Sequence, residues 1–268
     1  MNDYIPKHFE ALKNAKFNEQ GPVGDSPATW VVDMQLDFGQ IDNLPDKQLT
    51  RQEVRRICQD TRNNVFYGYI CAMSWGAQGR GPNGGVNARK AWAARGQFQD
   101  RLENLRGMKN SKRCDAYNLF AGKNRVSGLG SAYFTKLLYF FGPGNHYVMD
   151  QWTVKSVCLL TGRKIVKNSG GHPSKDNTGF NYNLFCRVVD DLAQKFGSTG
   201  DVIEQKLFSI GSIKKKPRGV WRQYVVDEWE KLQLKRYNQD ALEQFLADLQ
   251  PVSRHLFGRC DVRYAYTL

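Results

Sequence analysis

The sequence predicts a mainly α fold, with helix signals along most of its length and few strand signals. Thr50 and Glu53 have the spacing of a capping box, in which each side chain satisfies a free amide at a helix start. Val54, Ile57 and Cys58 follow on one stripe. We therefore expect a helix over residues 50–62.

Three later segments support the same fold class. Apolar residues recur at three- and four-residue intervals over 185–196, 221–232 and 242–249, which predicts three further amphipathic helices. Only residues 29–34 have the β-branched and aromatic composition of a strand, and we expect a short extended segment there. A single short strand cannot form a sheet, so the α prediction stands.

Composition restricts the class of partner. The 268 residues are 41% hydrophobic and carry 39 Lys and Arg against 26 Asp and Glu, a net charge of +13. Such a surplus attracts polyanions, which makes nucleic acid the first partner to test. The chain contains no apolar run long enough to span a bilayer and begins without a secretory signal, so we expect a cytoplasmic protein that does not bind membranes.

Neither a metal nor a cofactor is expected. The six cysteines are widely spaced, without the pairs that ligate zinc or iron–sulfur clusters, and are expected to be reduced and mostly buried. Residues 79–84 match the pattern Gly-x-Gly-x-x-Gly, but a proline lies inside the turn and no strand–helix–strand unit surrounds it. A nucleotide cofactor is therefore not predicted.

The segment from Cys114 to Val157 is the most informative part of the sequence. It predicts a short helix over 115–120, a glycine turn Val126-Ser127-Gly128-Leu129-Gly130, and a second helix from Ser131 to Phe141. Glycines allow a tight turn and a close approach to a ligand, and the amides at the new helix start carry partial positive charge. A DNA phosphate fits such a hairpin, and Ser127, Gly128, Leu129, Gly130 and Ser131 are the predicted contacts.

This segment resembles the helix-hairpin-helix DNA glycosylases, whose hairpin usually has proline where Ser127 stands. The long second helix is most similar to the 8-oxoguanine-glycosylase branch, which includes bacterial members that remove modified bases from phage DNA. The resemblance implies a catalytic aspartate about one helix after the hairpin, and Asp150 occupies that place. It also implies a single unit over 1–268 of two helical lobes, with the motif (114–141) at the cleft and a catalytic segment (146–157).

Asp150 has two interpretations that do not exclude each other. A fixed carboxylate stabilises the positive charge that develops on the sugar as a base leaves, and it can orient the attacking water. An aspartate before Gln151 is also a common helix cap. The hairpin upstream and the spacing favour a catalytic role.

Ala132 stands where the lyase members of the family have a nucleophilic lysine, so the resemblance implies hydrolysis without strand cleavage. Lys136 lies one turn further along the same helix. Three roles remain open for it: a solvated or phosphate-contacting side chain, a residue of the base pocket, and a substitute nucleophile.

Base excision requires that the base leave the duplex, and aromatic side chains commonly enclose the flipped base. The candidates for this pocket, besides Lys136, are Trp30, Trp75, Tyr147 and Trp152. A basic run, Lys214, Lys215, Lys216 and Arg218, is a candidate phosphate contact or a solvated charge cluster.

We therefore expect a monomeric, monofunctional DNA glycosylase that flips a modified base out of duplex DNA and leaves an abasic site. Two alternatives are a glycosylase with lyase activity through Lys136, and a DNA-binding protein without enzymatic activity. Oxidised guanine and a glucosylated phage cytosine are the two candidate bases, with a slight preference for the phage base.

Overall fold

The computed structural model of the protein describes residues 3–16, 21–37, 39, 41, 43–78, 84–108, 112–169, 171–209 and 219–233. These ranges contain twelve α-helices, two single-turn 3-10 helices and one two-stranded antiparallel sheet, which confirms the predicted mainly α fold. The helices are α1 (Pro6–Asn14), α2 (Pro27–Asp33), α3 (Arg51–Gln59), α4 (Val65–Trp75), α5 (Gly84–Ala93), α6 (Gln99–Gly107), α7 (Arg113–Asn118), α8 (Ser131–Phe141), α9 (Gln151–Thr161), α10 (Gly179–Lys195), α11 (Gly200–Phe208) and α12 (Val220–Gln233). The strands are β1 (Asn168–Ser169) and β2 (His172–Pro173).

The capping box predicted before α3 is present. The amide of Glu53 donates to the Thr50 hydroxyl over 3.2 Å, and the amide of Thr50 donates to the Glu53 carboxylate over 2.7 Å. The apolar periodicities over 185–196 and 221–232 correspond to α10 and α12. The helix predicted over 242–249 lies outside the described residues.

The extended segment expected over 29–34 is wrong, because residues 29–33 belong to α2 and Met34 is its C-terminal cap. Ser26 caps this helix by accepting a hydrogen bond from the Thr29 amide over 3.1 Å, and Pro27 occupies the first turn, where its fixed φ favours a helix. Trp30 and Val31 pack into the core. Start signals and tertiary packing therefore outweigh the β propensity of these side chains.

The helices pack in two sets, as expected for a fold of two lobes. One set joins α2, α3, α4, α6 and α8; the other joins α1, α9, α10, α11 and α12. Helix α7 packs on both α8 and α10, and strand β2 packs on both α8 and α9. Buried apolar side chains from both sets form one continuous hydrophobic cluster.

Five cysteines lie among the described residues, and all five are buried and form no disulfide bond. Every helix that the structure describes is too short or too polar to cross a membrane. The same residues contain no group of three or more His, Cys, Asp or Glu arranged to hold a metal ion. That residues 1–268 form one unit stays a prediction.

Candidate active site

A glycine hairpin connects α7 to α8 in the predicted place. Helix α8 has the bounds expected from the sequence, and α7 begins and ends two residues earlier than the predicted helix over 115–120. Val126 and Leu129 point into the core, whereas Ser127 and Gly130 are exposed. The amide of Leu129 donates to the Val126 carbonyl over 3.1 Å, which closes the turn.

The two hairpin glycines have different surroundings. Gly128 has a φ of 79°, and a Cβ atom there would collide with the carbonyl oxygen of Asn87 on α5. Its own carbonyl accepts a hydrogen bond from the side-chain amide of Gln78 over 3.2 Å. Gly130 has an ordinary φ of −74°, and a Cβ atom there would meet nothing within 4 Å. Gly128 is therefore required by internal packing, while Gly130 leaves open space at the surface.

Free backbone donors lie at the start of α8. No described residue accepts a hydrogen bond from the amides of Gly130, Ser131 and Ala132, and Gly130 caps the helix without a side chain. The hydroxyl of Ser131 is turned inward to Tyr117, at 3.3 Å. The hairpin thus presents backbone amides, rather than side chains, to an anion.

A cleft of about 400 Å³ lies beside the hairpin, between α8 and the sheet. Its rim carries the exposed basic side chains of Arg125, His172 and Lys175. Arg125 donates a hydrogen bond to the carbonyl of Lys175 over 2.6 Å, which joins the two edges of the cleft. The sequence did not identify these residues, because the fold brings positions about fifty apart together.

Asp150 caps α9, and its side chain uses only one oxygen to do so. Its Oδ1 accepts hydrogen bonds from the amides of Trp152 and Thr153 over 2.8 and 2.9 Å. The hydroxyl of Thr153 accepts a bond from the amide of Asp150 over 3.0 Å and completes a capping box. No hydrogen bond from the described residues reaches Oδ2. The carboxylate is therefore held rigidly and still has a free oxygen for a reacting group.

Lys136 is buried, which contradicts the interpretation of a solvated side chain. It is 8% exposed, and its Nζ atom donates to the Ala132 carbonyl over 3.0 Å and lies 4.7 Å from the centre of the Tyr133 ring. Burial lowers the pKa of Lys136, and the nearby Asp150 carboxylate opposes this shift. A Cβ atom on Gly76 would lie 2.7 Å from Lys136 Cδ, so the bare backbone of Gly76 makes room for the lysine stem.

Two further side chains near Asp150 were not predicted. Tyr133 is half-buried and lines the cleft. Burial raises the pKa of Tyr133, and Asp150 adds to the increase. Burial lowers the pKa of Lys155, and Asp150 opposes that change. Tyr133 lies three residues before Lys136, a spacing that could have placed both on one side of α8.

Trp152 and Trp75, both predicted for the base pocket, lie beside cations. The half-buried ring of Trp152 has Lys155 Nζ at 4.8 Å and Arg222 Cζ at 4.7 Å from its centre. Trp75 is buried, with Arg51 Cζ at 5.6 Å, and its indole N–H has no partner among the described residues. Trp152 is the more accessible of the two to a nucleotide.

Trp30 and Tyr147, also predicted for the pocket, are core residues in the structure. Trp30 has no exposed surface, and its indole N–H donates to the Gln78 carbonyl over 2.6 Å. The hydroxyl of Tyr147 donates to Asp190 over 2.7 Å. Neither ring can stack on a base in this conformation, because helix packing covers both.

The predicted basic contacts Lys214, Lys215, Lys216 and Arg218 lie outside the described residues. So do residues 79–83 of the Gly-x-Gly-x-x-Gly segment.

A glycine hairpin between two helices, followed after α8 by a rigid buried aspartate, defines a helix-hairpin-helix protein of the glycosylase class. The family described as "Putative 8-oxoguanine DNA glycosylase OGG-like protein" matches residues 8–208. Because this range covers most of the chain, the protein belongs to that family of DNA glycosylases. No curated protein and no solved structure matches the chain.

Proposed function

We propose that the protein is a monofunctional DNA glycosylase, which hydrolyses the N-glycosidic bond of a modified base and leaves an intact abasic site. The observation that carries this proposal is the geometry of Asp150. Its Oδ1 is fixed by two amides at the start of α9, and its Oδ2 accepts no hydrogen bond from the described residues. Belonging to a DNA glycosylase family supplies DNA as the substrate.

The proposed reaction follows from this carboxylate. As the bond between the sugar and the base breaks, its electron pair leaves with the base, and positive charge develops at C1′. Asp150 stabilises this charge and takes a proton from the water that attacks C1′. The departing base takes up a proton from solvent, to which Asp150 returns the one that it accepted. The products are the free base and an abasic sugar. No metal or cofactor has a role in this scheme.

DNA would lie along the hairpin in this proposal. The free amides of Gly130, Ser131 and Ala132 face a backbone phosphate, and the rim residues Arg125 and Lys175 extend the positive surface along the strand. A base flipped toward Asp150 would pass Tyr133, which lines the cleft and lies beside Lys136. The contacts with the phosphates do not depend on the identity of the base. In this proposal the cleft therefore binds DNA before a base is selected.

One observation favours a second candidate, a glycosylase with lyase activity. Lys136 is a buried amine near Asp150 whose pKa is lowered by burial, as expected of a lysine that attacks a sugar. The family description, which names 8-oxoguanine, agrees with either candidate. A third possibility, a DNA-binding protein without activity, would leave the rigid Asp150 carboxylate without a purpose beyond capping α9.

The test is a comparison of defined substrates. Duplexes containing 8-oxoguanine or glucosylated hydroxymethylcytosine are incubated with the protein, and released bases are identified by mass spectrometry. Alkali then cleaves any abasic site. Monofunctional activity gives a free base and strand breaks only after alkali, whereas lyase activity gives breaks without it. The proposal would be refuted if the protein released no base from these duplexes and none from phage DNA or oxidised DNA. Release of the phage base would indicate anti-phage defence, and release of 8-oxoguanine would indicate repair.

A further inference from the structure

The segment that leads from α8 to Asp150 is buried, although it belongs to neither a helix nor a strand. Residues 146–150 are all buried, and the segment ends at the start of α9. Backbone amides and carbonyls that leave water need hydrogen-bond partners inside the protein. The one sheet among the described residues lies elsewhere, so a neighbouring strand does not supply them. The groups that pair with this backbone therefore help to determine where Asp150 lies.

Three side-chain hydroxyls pair with the backbone of this segment. Tyr182 on α10 accepts a hydrogen bond from the Tyr147 amide over 3.1 Å and donates one to the Tyr147 carbonyl over 3.0 Å. Thr153 on α9 donates to the Val148 carbonyl over 3.0 Å. The third hydroxyl comes from α8, the helix that begins at the glycine hairpin.

This third hydroxyl, of Thr135, joins the first turn of α8 to the residue before Asp150. It donates to the Ser131 carbonyl over 2.8 Å and accepts a bond from the Met149 amide over 3.0 Å. A hydroxyl has one proton to donate and lone pairs that accept, so both bonds form at once. Thr135 has no exposed surface, and the two bonds are therefore shielded from competing water.

The connection through Thr135 runs between the two parts of the candidate site. At one end, Ser131 lies among the backbone amides that accept no partner from the described residues and are proposed to bind a phosphate. At the other end, Met149 is bonded covalently to Asp150. Phosphates and sugars alternate along a DNA strand at a limited distance. A phosphate held at the hairpin therefore presents a sugar to Asp150 only if amides and carboxylate are correctly spaced.

The other hydrogen bonds that hold this region do not set that spacing. The amides of Trp152 and Thr153 fix the Asp150 carboxylate relative to α9, and the hydroxyl of Tyr182 refers the segment to α10. Helices α9 and α10 belong to one of the two packed sets of helices, whereas α8 belongs to the other. The hydroxyl of Thr135 thus bridges the two sets at the site itself.

We propose that Thr135 is a positioning residue of the candidate active site: its hydroxyl sets the distance between the phosphate-binding amides of the hairpin and the Asp150 carboxylate. Thr135 acts through Met149 and does not touch the substrate. The proposal rests on the proposed function, because a reaction at Asp150 gives this distance its purpose. A displacement of about 1 Å in a catalytic group can lower a rate by roughly 10²-fold, so one such bond has a measurable effect.

The first test is single-turnover base release at saturating DNA, on a duplex from which the wild type releases a base. Thr135→Val keeps the shape of the side chain and removes the hydroxyl, and we expect the rate to fall by about 10- to 100-fold. Affinity for DNA should not change, because the hairpin amides remain. Thr135→Ser restores a hydroxyl and should recover most of the lost rate.

Thr161→Val is the matched control, because Thr161 has the same environment at the far end of α9. Thr161 is 7% exposed, and its hydroxyl donates to the Val157 carbonyl over 2.8 Å and accepts a bond from the Arg163 amide over 3.3 Å. It lies ~16 Å along the helix from Asp150. Thr161→Val should lose similar stability in urea unfolding and keep the wild-type rate. A folded Thr135→Val variant that also keeps the wild-type rate would overturn the proposal.

A measurement without DNA separates this proposal from the proposed function. In ¹⁵N NMR spectra of the free full-length protein, Thr135→Val should displace the amide signals of Trp152 and Thr153, which bind the Asp150 carboxylate, and Thr135→Ser should return them. Unchanged signals in a folded Thr135→Val variant contradict the proposal. If the wild type releases no base from any DNA, the proposed function is refuted, while the spectra still show whether Thr135 holds this segment.

Thr135→Cys covers the case in which Thr135→Val does not fold. A thiol is a weak donor and a weak acceptor, so both bonds would weaken without being lost. Base release should then be slower than in Thr135→Ser, and the amide signals of Trp152 and Thr153 should again be displaced. Equal rates in folded Thr135→Cys and Thr135→Ser, with unchanged signals, would overturn the proposal.

Discussion

Replacing Asp150 by asparagine separates the two roles of this side chain at the start of α9. An amide oxygen can still accept the bonds from Trp152 and Thr153, which measure 2.8 and 2.9 Å, and asparagine caps helices as well as aspartate does. The negative charge is lost. Removing one electrostatic partner of a transition state typically costs about 2.7–4 kcal/mol, so base release should fall by roughly 10²- to 10³-fold while DNA binding persists.

The assay is single-turnover base release combined with urea unfolding. Asp150→Ala removes the cap as well as the charge and should lower the free energy of unfolding by about 1 kcal/mol relative to Asp150→Asn. Asn64→Ala is the matched control, since Asn64 caps α4 through a 2.8 Å bond to the Phe66 amide. It should lose similar stability and keep full activity. Base release at the wild-type rate by a folded Asp150→Asn variant would refute the catalytic role. Helix capping would then be the remaining role of Asp150.

Four further predictions concern other parts of the molecule. Gly130→Ala should keep its stability and lose affinity for all DNA sequences alike, whereas Gly128→Ala should unfold at lower urea concentration; equal behaviour of the two variants contradicts the hairpin geometry. Borohydride should trap no covalent complex between wild type and DNA, and efficient trapping that disappears in Lys136→Ala would replace hydrolysis by lyase chemistry. Arg125→Ala should reduce the slope of log affinity against log salt concentration by about 0.9, and an unchanged slope in filter binding would remove Arg125 from the interface. Burial lowers the pKa of His146 to about 4, below the value in the unfolded chain, so the free energy of unfolding should decrease as pH falls from about 6.5 to 4, and this decrease should be smaller in His146→Phe.

Local signals in the sequence predicted those parts of the fold and site that depend on neighbouring residues. Glycines lie just before the start of α8, and Asp150 lies just before the start of α9. Because these signals adjoin the helix starts, the bounds of α8 and the cap at Asp150 could be predicted. The short extended segment expected over 29–34 was wrong because Ser26 and Pro27 start a helix, although the residues that follow favour strands.

Side-chain environments that depend on distant contacts could not be predicted. Trp30 and Tyr147 were candidates for stacking on a base, yet helices far away in sequence cover both rings. The spacing of Lys136 placed it near the hairpin but gave no information on its burial, which needs the space that the missing side chain of Gly76 leaves for the lysine stem. Thr135 has no motif around it, and only the packing of α8 against the segment before α9 reveals its partners.

The collision that a side chain at Gly128 would make with α5 has a consequence for anyone who wishes to transplant this hairpin. Residues 114–141 form a continuous stretch that could be grafted onto another scaffold. In this protein, however, the turn is backed by the carbonyl of Asn87, from a helix much earlier in the chain. A recipient scaffold would have to supply a helix at the same close distance, or the turn would lose the support that fixes its amides. The unit that can be transferred is therefore the hairpin together with α5.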